Sequence, residues 1–227
     1  MRRPRRPIPV AAAVIAALVI PPSLAAQAAD DGVLIIQRDG HEIGREQFSI
    51  RRGRPGDPQG STLEATSQYP WGSPTVRLRG SLERTAAGEM AGFRLEVEAA
   101  AGVSRVRAQG SRTRVAVQVA GPGTVTAREY PGGSNVVILH DSLVSLYAAA
   151  AELATPAGRQ LTAVFPHAER RVAFTARREP PTEVEGEPLA AVRLAGGIEG
   201  TIWLDARGRL TRIELPGSGL RAIRLRD

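Results

Sequence analysis

Apolar and polar residues alternate with period two over most of the chain. The runs at residues 93–98 (FRLEVE), 103–109 (VSRVRAQ) and 112–119 (RTRVAVQV) show it most plainly. Such alternation is the mark of half-buried strands, packed on one face and wet on the other. Similar runs fall at 33–38, 43–52, 61–69, 75–83, 124–129, 159–165, 171–178, 189–195, 198–204 and 210–215. Glycines and prolines punctuate them at short intervals, which predicts an antiparallel meander rather than βαβ units.

The pattern also predicts pairings. A turn centred on Ala101-Gly102 places Glu98 opposite Arg105, Glu96 opposite Arg107 and Arg94 opposite Gln109. On the other face Val97 then meets Val106 and Leu95 meets Ala108. A Gly110-Ser111 turn, with glycine first as a type II′ hairpin prefers, places Val106 opposite Val115 and Arg107 opposite Arg114. Glu96, Glu98, Arg105, Arg107 and Arg114 read as a solvated ladder of charge. Gly121-Pro122-Gly123 makes the next turn and brings Val119 near Val125.

After a short strand at 136–139 the period changes once. Leu143, Leu146, Tyr147, Ala150 and Leu153 follow helical spacing, which predicts a helix over about 142–154. Asp141 or Ser142 is positioned to cap its start, and Thr155-Pro156 stops it. Its other face is alanine and serine with Glu152 the lone charge, so the helix is expected to be covered, lying on the concave side of the sheet. Trp203 and Leu204 are adjacent on one strand, so both faces there need cover, and the helix is the natural candidate. Residues 53–60 and 179–188 (EPPTEVEGEP) read as mobile loops.

The first residues differ from the rest. Arg2, Arg3, Arg5 and Arg6 precede an apolar run at 10–20, then Pro21-Pro22 and a small-residue stretch through Ala29. This is the layout of a secretory signal peptide, with cleavage expected after Ala28. The run is too short for a helix to span a bilayer, which takes about 20 apolar residues. The expected organisation is a signal over 1–28 and a single β-rich domain over 29–227, located in the periplasm or outside the cell with no membrane span after processing. Removing residues 1–28 from the 227 leaves 199, enough for one core. Four of the 30 basic residues fall in that segment, so the remainder carries 26 bases against 23 acids, a net charge of +3. Every base is arginine. A charge of +3 spread over a domain is a weak field, so nucleic acid is not an expected partner. There is no cysteine, so the core alone must hold the fold.

Little of the sequence names chemistry. His41, His140 and His167 lack metal-type spacing, so no metal and no cofactor is expected. His140, Asp141 and Ser142 are neighbours, and a triad needs groups that converge from separate positions. There is no GxSxG elbow and no phosphate-binding glycine loop. Glu183, Glu185 and Glu187 lack the pattern of a calcium loop. Trp71, in the Tyr69-Pro70-Trp71-Gly72 loop, is a candidate ligand platform.

The order of parts carries a resemblance. An export segment leads to a hairpin turn at Asp39-Gly40-His41-Glu42-Ile43-Gly44, then a long meander, then Val136 to Leu139 and His140-Asp141 before the Tyr147 helix. A strand ending Phe165-Pro166-His167 follows, and the chain closes with Trp203-Leu204-Asp205, Gly208-Arg209-Leu210 and Ile213-Glu214-Leu215-Pro216. This resembles uncharacterised exported bacterial families with a curved antiparallel half-barrel, similar to the periplasmic lipoprotein-carrier fold. The resemblance implies a mainly all-β chain: one strongly curved sheet or open barrel with a helix on its concave side. It transfers no catalytic residues. Together these readings lead to a non-catalytic envelope protein that binds an apolar ligand, a lipid or acyl chain, with Trp71, Tyr147, Phe165 and Trp203 as candidate lining residues. Two alternatives stand beside it. One is a structural or protein-interaction module of the envelope that docks through the Arg/Glu face and the acidic loop. The other is a hydrolase built from His140, Asp141 and His167.

Overall fold

A computed structural model describes residues 29–53 and 59–226. The expected export segment and most of the loop expected at 53–60 lie outside the described residues. From Ala29 the alternation becomes eight strands in chain order: β1 (Ala29–Arg38), β2 (His41–Arg52), β3 (Gln59–Tyr69), β4 (Val76–Thr85), β5 (Met90–Ala99), β6 (Gly102–Gly110), β7 (Arg114–Gly121) and β8 (Thr124–Pro131). The chain then makes β9 (Val136–Ile138), a 3₁₀ turn (Val144–Tyr147) and α1 (Ala148–Leu153). It returns to the sheet as β10 (Arg159–Phe165), β11 (Arg170–Arg178), β12 (Thr182–Val184), β13 (Glu187–Gly196), β14 (Gly200–Leu204), β15 (Leu210–Leu215) and β16 (Leu220–Arg224).

In space the order runs from β8 down to β1, then β16, β15, β14, β13, β11, β10 and β9, with β12 paired to β13 off this path. The named pairs are antiparallel apart from β9 with β10. The result is one curved, nearly closed, barrel-like sheet. Its two halves are sewn together where the first strand meets the last, with Leu34 opposite Arg224 and Ile36 opposite Ala222. A buried ion pair reinforces that seam: Arg224 Nη1 lies 2.5 Å from Asp30 Oδ1, and Asp30 Oδ2 accepts the Leu210 N–H at 2.8 Å.

Period two places one face of each strand inside. Leu34, Ile36, Phe48, Ile50, Leu78, Phe93 and Leu95 are all buried, each stabilising the fold by about 1.5–3 kcal/mol relative to exposure. The segment between β9 and β10 occupies the hollow they surround. Residues 143–151 are buried throughout, which fits the expected helix and its concave-side placement. The helix is tighter than 142–154, a 3₁₀ turn running into six α residues, and it ends at Ala154 in extended geometry ahead of Pro156. Gly80 on β4 makes room for it, since a Cβ there would drive into Leu143 Cδ2.

Four expectations need correction. The β5–β6 turn is Ala100-Ala101, so Glu96 faces Arg105, Leu95 faces Val106, and Arg94 faces Arg107. The β6–β7 turn spans residues 111–114, closed by Ser111 N–H to the Arg114 carbonyl at 2.7 Å, so Val106 faces Val119 and Arg107 faces Gln118. Both registers are displaced by an even number of residues, and such a slip keeps every side chain on its face. Second, Gly110 is not a turn residue; a Cβ there would strike the Met90 carbonyl. Third, residues 179–188 form a hairpin rather than a mobile loop. β12 and β13 pair around Glu185-Gly186, whose φ values of 53° and 81° are those of a tight primed turn. Glu185 accepts from Arg212 at 2.8 Å, and Glu187 lies 3.1 Å from Arg226. Fourth, Trp203 lies on the face opposite Ile202 and Leu204, between Ala191 and Arg212. The helix is on the Leu204 side, so it does not cover Trp203.

Candidate functional site

The buried rod is held by charge at both ends, and each of those charges comes from a sheet position that should be apolar. On β2 the inward residues are Gly44, Glu46, Phe48 and Ile50. Glu46 is fully buried. Its Oε1 accepts the Ser145 N–H at 2.7 Å and its Oε2 accepts the Val144 N–H at 2.8 Å and the Ser67 hydroxyl at 2.9 Å. These are backbone donors that a helix start leaves without internal partners, and an anion suits that end of the helix dipole. Burial pushes the Glu46 carboxyl above its ordinary range, against the pull of its donors. The expected caps do other work. Asp141 pairs with Arg170 at 2.9 Å, and the Ser142 carbonyl accepts the Tyr69 hydroxyl at 2.9 Å.

At the other end the inward phase of four strands finishes in arginine: Arg52 on β2, Arg84 on β4, Arg159 on β10 and Arg178 on β11. Arg84 and Arg178 donate to the last carbonyls of the rod, Ala149 and Ala151, each at 3.0 Å. Arg84 also donates to the Gly88 carbonyl at 2.6 Å. Glu152 receives Arg52 at 3.1 Å, Arg84 at 3.2 Å and the Ser61 hydroxyl at 3.0 Å. Burial lowers the Arg84 guanidinium from its ordinary value, with Glu152 opposing that shift and Arg159 adding to it. Arg207, in the β14–β15 turn, completes the rim. These residues surround a cavity of about 600 Å³ whose floor is Ala148, Ala151, Leu153, Leu204 and Leu210. That size falls in the range of small-molecule sites, about 300–1,000 Å³.

The four residues singled out from sequence are dispersed. Tyr147 and Phe165 share a second cavity of about 520 Å³ at the opposite end of the barrel, with Arg38, Asp141, Arg170 and Leu215. The Arg170 guanidinium lies 3.5 Å from the Phe165 ring centroid while bound to Asp141. Burial pushes the Tyr147 phenol up to about 12. Trp71 is 50% exposed, with the Arg45 guanidinium 5.2 Å from its ring centroid. Trp203 is half-buried, and its indole N–H has no acceptor among the described residues. Neither tryptophan lines either end cavity.

The histidines are partly gathered. His140 and His167 stack edge to face with ring centroids 5.4 Å apart, and Ser104 Oγ is 3.3 Å from His167 Nε2. His140 Nδ1 accepts the Ser142 N–H at 3.1 Å. Burial, with His167 alongside, lowers His140 to about 4, so it is neutral near pH 7. No carboxylate bonds either imidazole among the described residues, because Asp141 is engaged by Arg170. A serine–histidine contact without an orienting acid lacks the third element of a hydrolytic triad. The described residues also contain no group of three His, Cys, Asp or Glu able to hold a metal ion.

None of Glu46, Arg84, Arg159 or Arg178 stood out from spacing alone. The available signal was their phase: each is a charge on the alternation that otherwise carries the core. Comparison with protein-family models, with characterised proteins and with solved structures finds no match to this chain.

Proposed function

We propose that this chain is a non-catalytic protein of the cell envelope that binds or carries an apolar ligand, a lipid or acyl chain. The observation that carries the reading is the cavity of about 600 Å³ at the end of the rod, apolar at its floor and ringed by polar groups. A concave seat with an apolar floor, in which polar side chains fix the ligand's orientation, is a form small-molecule sites take. The rod itself occupies the hollow of the sheet, with Leu143, Leu146 and Tyr147 buried. The ligand's seat is therefore this mouth rather than a space beneath the helix.

Native mass spectrometry of the full chain, gently extracted from cells, tests the reading together with titration by a fluorescent fatty acid. The expected result is a lipid-sized adduct and saturable uptake near one ligand per chain. A clean unliganded mass combined with no uptake overturns it. A second reading, a protein-interaction module, draws on Arg94 facing Arg107 across β5 and β6 with no carboxylate bonded to either among the described residues. It predicts salt-sensitive capture of an envelope protein that is abolished in Arg94→Glu.

A further inference from the structure

We infer that the mouth at the C-terminal end of the rod recognises the anionic group of an amphiphile, a carboxylate or phosphate, through Arg84, Arg159, Arg178 and Arg207. The inference rests on the proposed carrier reading for the ligand's apolar part and adds the chemistry of its head.

Charge is the first argument. Among the described residues, five arginines line this cavity and Glu152 is its one carboxylate. Arg52 and Arg84 share Glu152. The guanidinium groups of Arg159, Arg178 and Arg207 have no carboxylate partner among the described residues; that of Arg159 donates to the Ser134 carbonyl at 3.0 Å and hydroxyl at 2.9 Å. Like charges gathered at one opening repel one another and add to a positive potential there.

Capping of the rod explains only part of this. Two carbonyls are satisfied by Arg84 and Arg178, and a cation at a helix C-terminus is favourable in its own right. That role gives no reason for Arg52, Arg159 and Arg207 to gather at the same opening. It also leaves Arg84 Nε–H buried with no acceptor although Arg84 as a whole is 6% exposed. A buried donor without a partner is costly. The planar guanidinium is also the side chain best matched to the two oxygens of a carboxylate or phosphate.

Position is the second argument. Arg84, Arg159 and Arg178 occupy the same inward phase as the core, and with Arg207 from the β14–β15 turn they line the opening that Leu153, Leu204 and Leu210 also line. A ligand entering there meets charge at the rim and an apolar wall below it. This polarity fits an amphiphile better than a free ion, which would leave the wall uncovered, and better than a neutral chain, which would leave the arginines unneutralised.

The test is calorimetric titration of the full chain with four probes below their aggregation limits: oleate, oleoyl lysophosphatidate, oleyl alcohol and inorganic phosphate. At least one of the two anionic amphiphiles is expected to bind about tenfold or more tighter than oleyl alcohol, and raising salt should weaken it. The double variant Arg159→Gln/Arg207→Gln, which breaks no ion pair seen among the described residues, should bring the anionic and neutral chains to within about threefold. Equal binding of oleyl alcohol and the anionic amphiphiles overturns the head-group inference and leaves the carrier reading standing. No binding of any chain-bearing probe overturns both. Displacement of the amphiphile by equimolar phosphate identifies a free anion as the ligand and overturns the amphiphile.

Discussion

The Glu46 carboxylate on β2 accepts the backbone N–H of Ser145 at 2.7 Å, so a fully buried acid from the second strand caps a rod formed a hundred residues later. The contact ties the meander to the segment that fills it, and its chemistry can be tested directly.

Replacing Glu46 by alanine strands three donors in a dry interior: two N–H groups and the Ser67 hydroxyl. At about 1–3 kcal/mol per unsatisfied group, Glu46→Ala should lose at least about 3 kcal/mol in urea unfolding. Glu46→Gln, which keeps the shape and one carbonyl, should lose less. A loss below about 1 kcal/mol for the alanine variant would show that the cap is dispensable.

The same carboxyl gives a pH signature. Its folded pKa lies above the ordinary 4.5, so its contribution to stability is full below that value and declines as pH rises through the folded pKa. Urea midpoints of wild type and Glu46→Gln, compared from pH 4 to 8, should therefore converge as the pH rises. Parallel curves contradict the shift.

His140 should behave in the opposite sense. Lowered from 6.5 to about 4, it is neutral in the fold and charged when unfolded across that interval. Its contribution is present above pH 6.5 and is lost as pH falls toward 4, on the order of 3 kcal/mol. Histidine ring NMR should show one resonance titrating near 4. A midpoint near 6.5 for His140 would mean the ring is open to water.

Gly80 tests how closely the rod packs on the sheet. Gly80→Ala pushes a methyl group into Leu143 and should cost about 1–3 kcal/mol. Gly217→Ala, with nothing within 4 Å of the added atom, should change stability by less than about 0.5 kcal/mol. Equal effects would show that the Leu143 contact is not tight.

The two tryptophans should separate in fluorescence. Trp203→Phe leaves Trp71, which is 50% exposed and should emit to the red and quench readily with acrylamide. Trp71→Phe leaves Trp203, half-buried with its indole N–H out of contact with solvent, and should emit to the blue with several-fold weaker quenching. Identical quenching contradicts this placement.

Phase explains what could and could not be read from the chain. Which residues face inward was legible, because period two is a property of each strand alone: Phe93, Leu95, Val106 and Val115 are buried as alternation requires. Which residues face one another was not. A slip of two or four leaves the alternation unchanged, so turn geometry chose between Glu96–Arg105 and Glu96–Arg107. The 179–188 hairpin was missed because three prolines and a run of glutamates mimic a loop, while the arginines that hold it lie on β15 and just past the end of β16. In the candidate site, Glu46 and Arg84 are charges on the core-facing phase of β2 and β4, a signal that spacing carries, whereas their partners are not legible from it.

By itself, then, the order of residues determined most of the strands, their inner faces, the lone helix and its covered state, since these follow from local periodicity and from the cost of exposing apolar surface. Only the closed-up sheet decided that a carboxylate meets one end of the helix and arginines the other. Those contacts join strands far apart in the chain, and no pattern of fixed period can encode a distance between them.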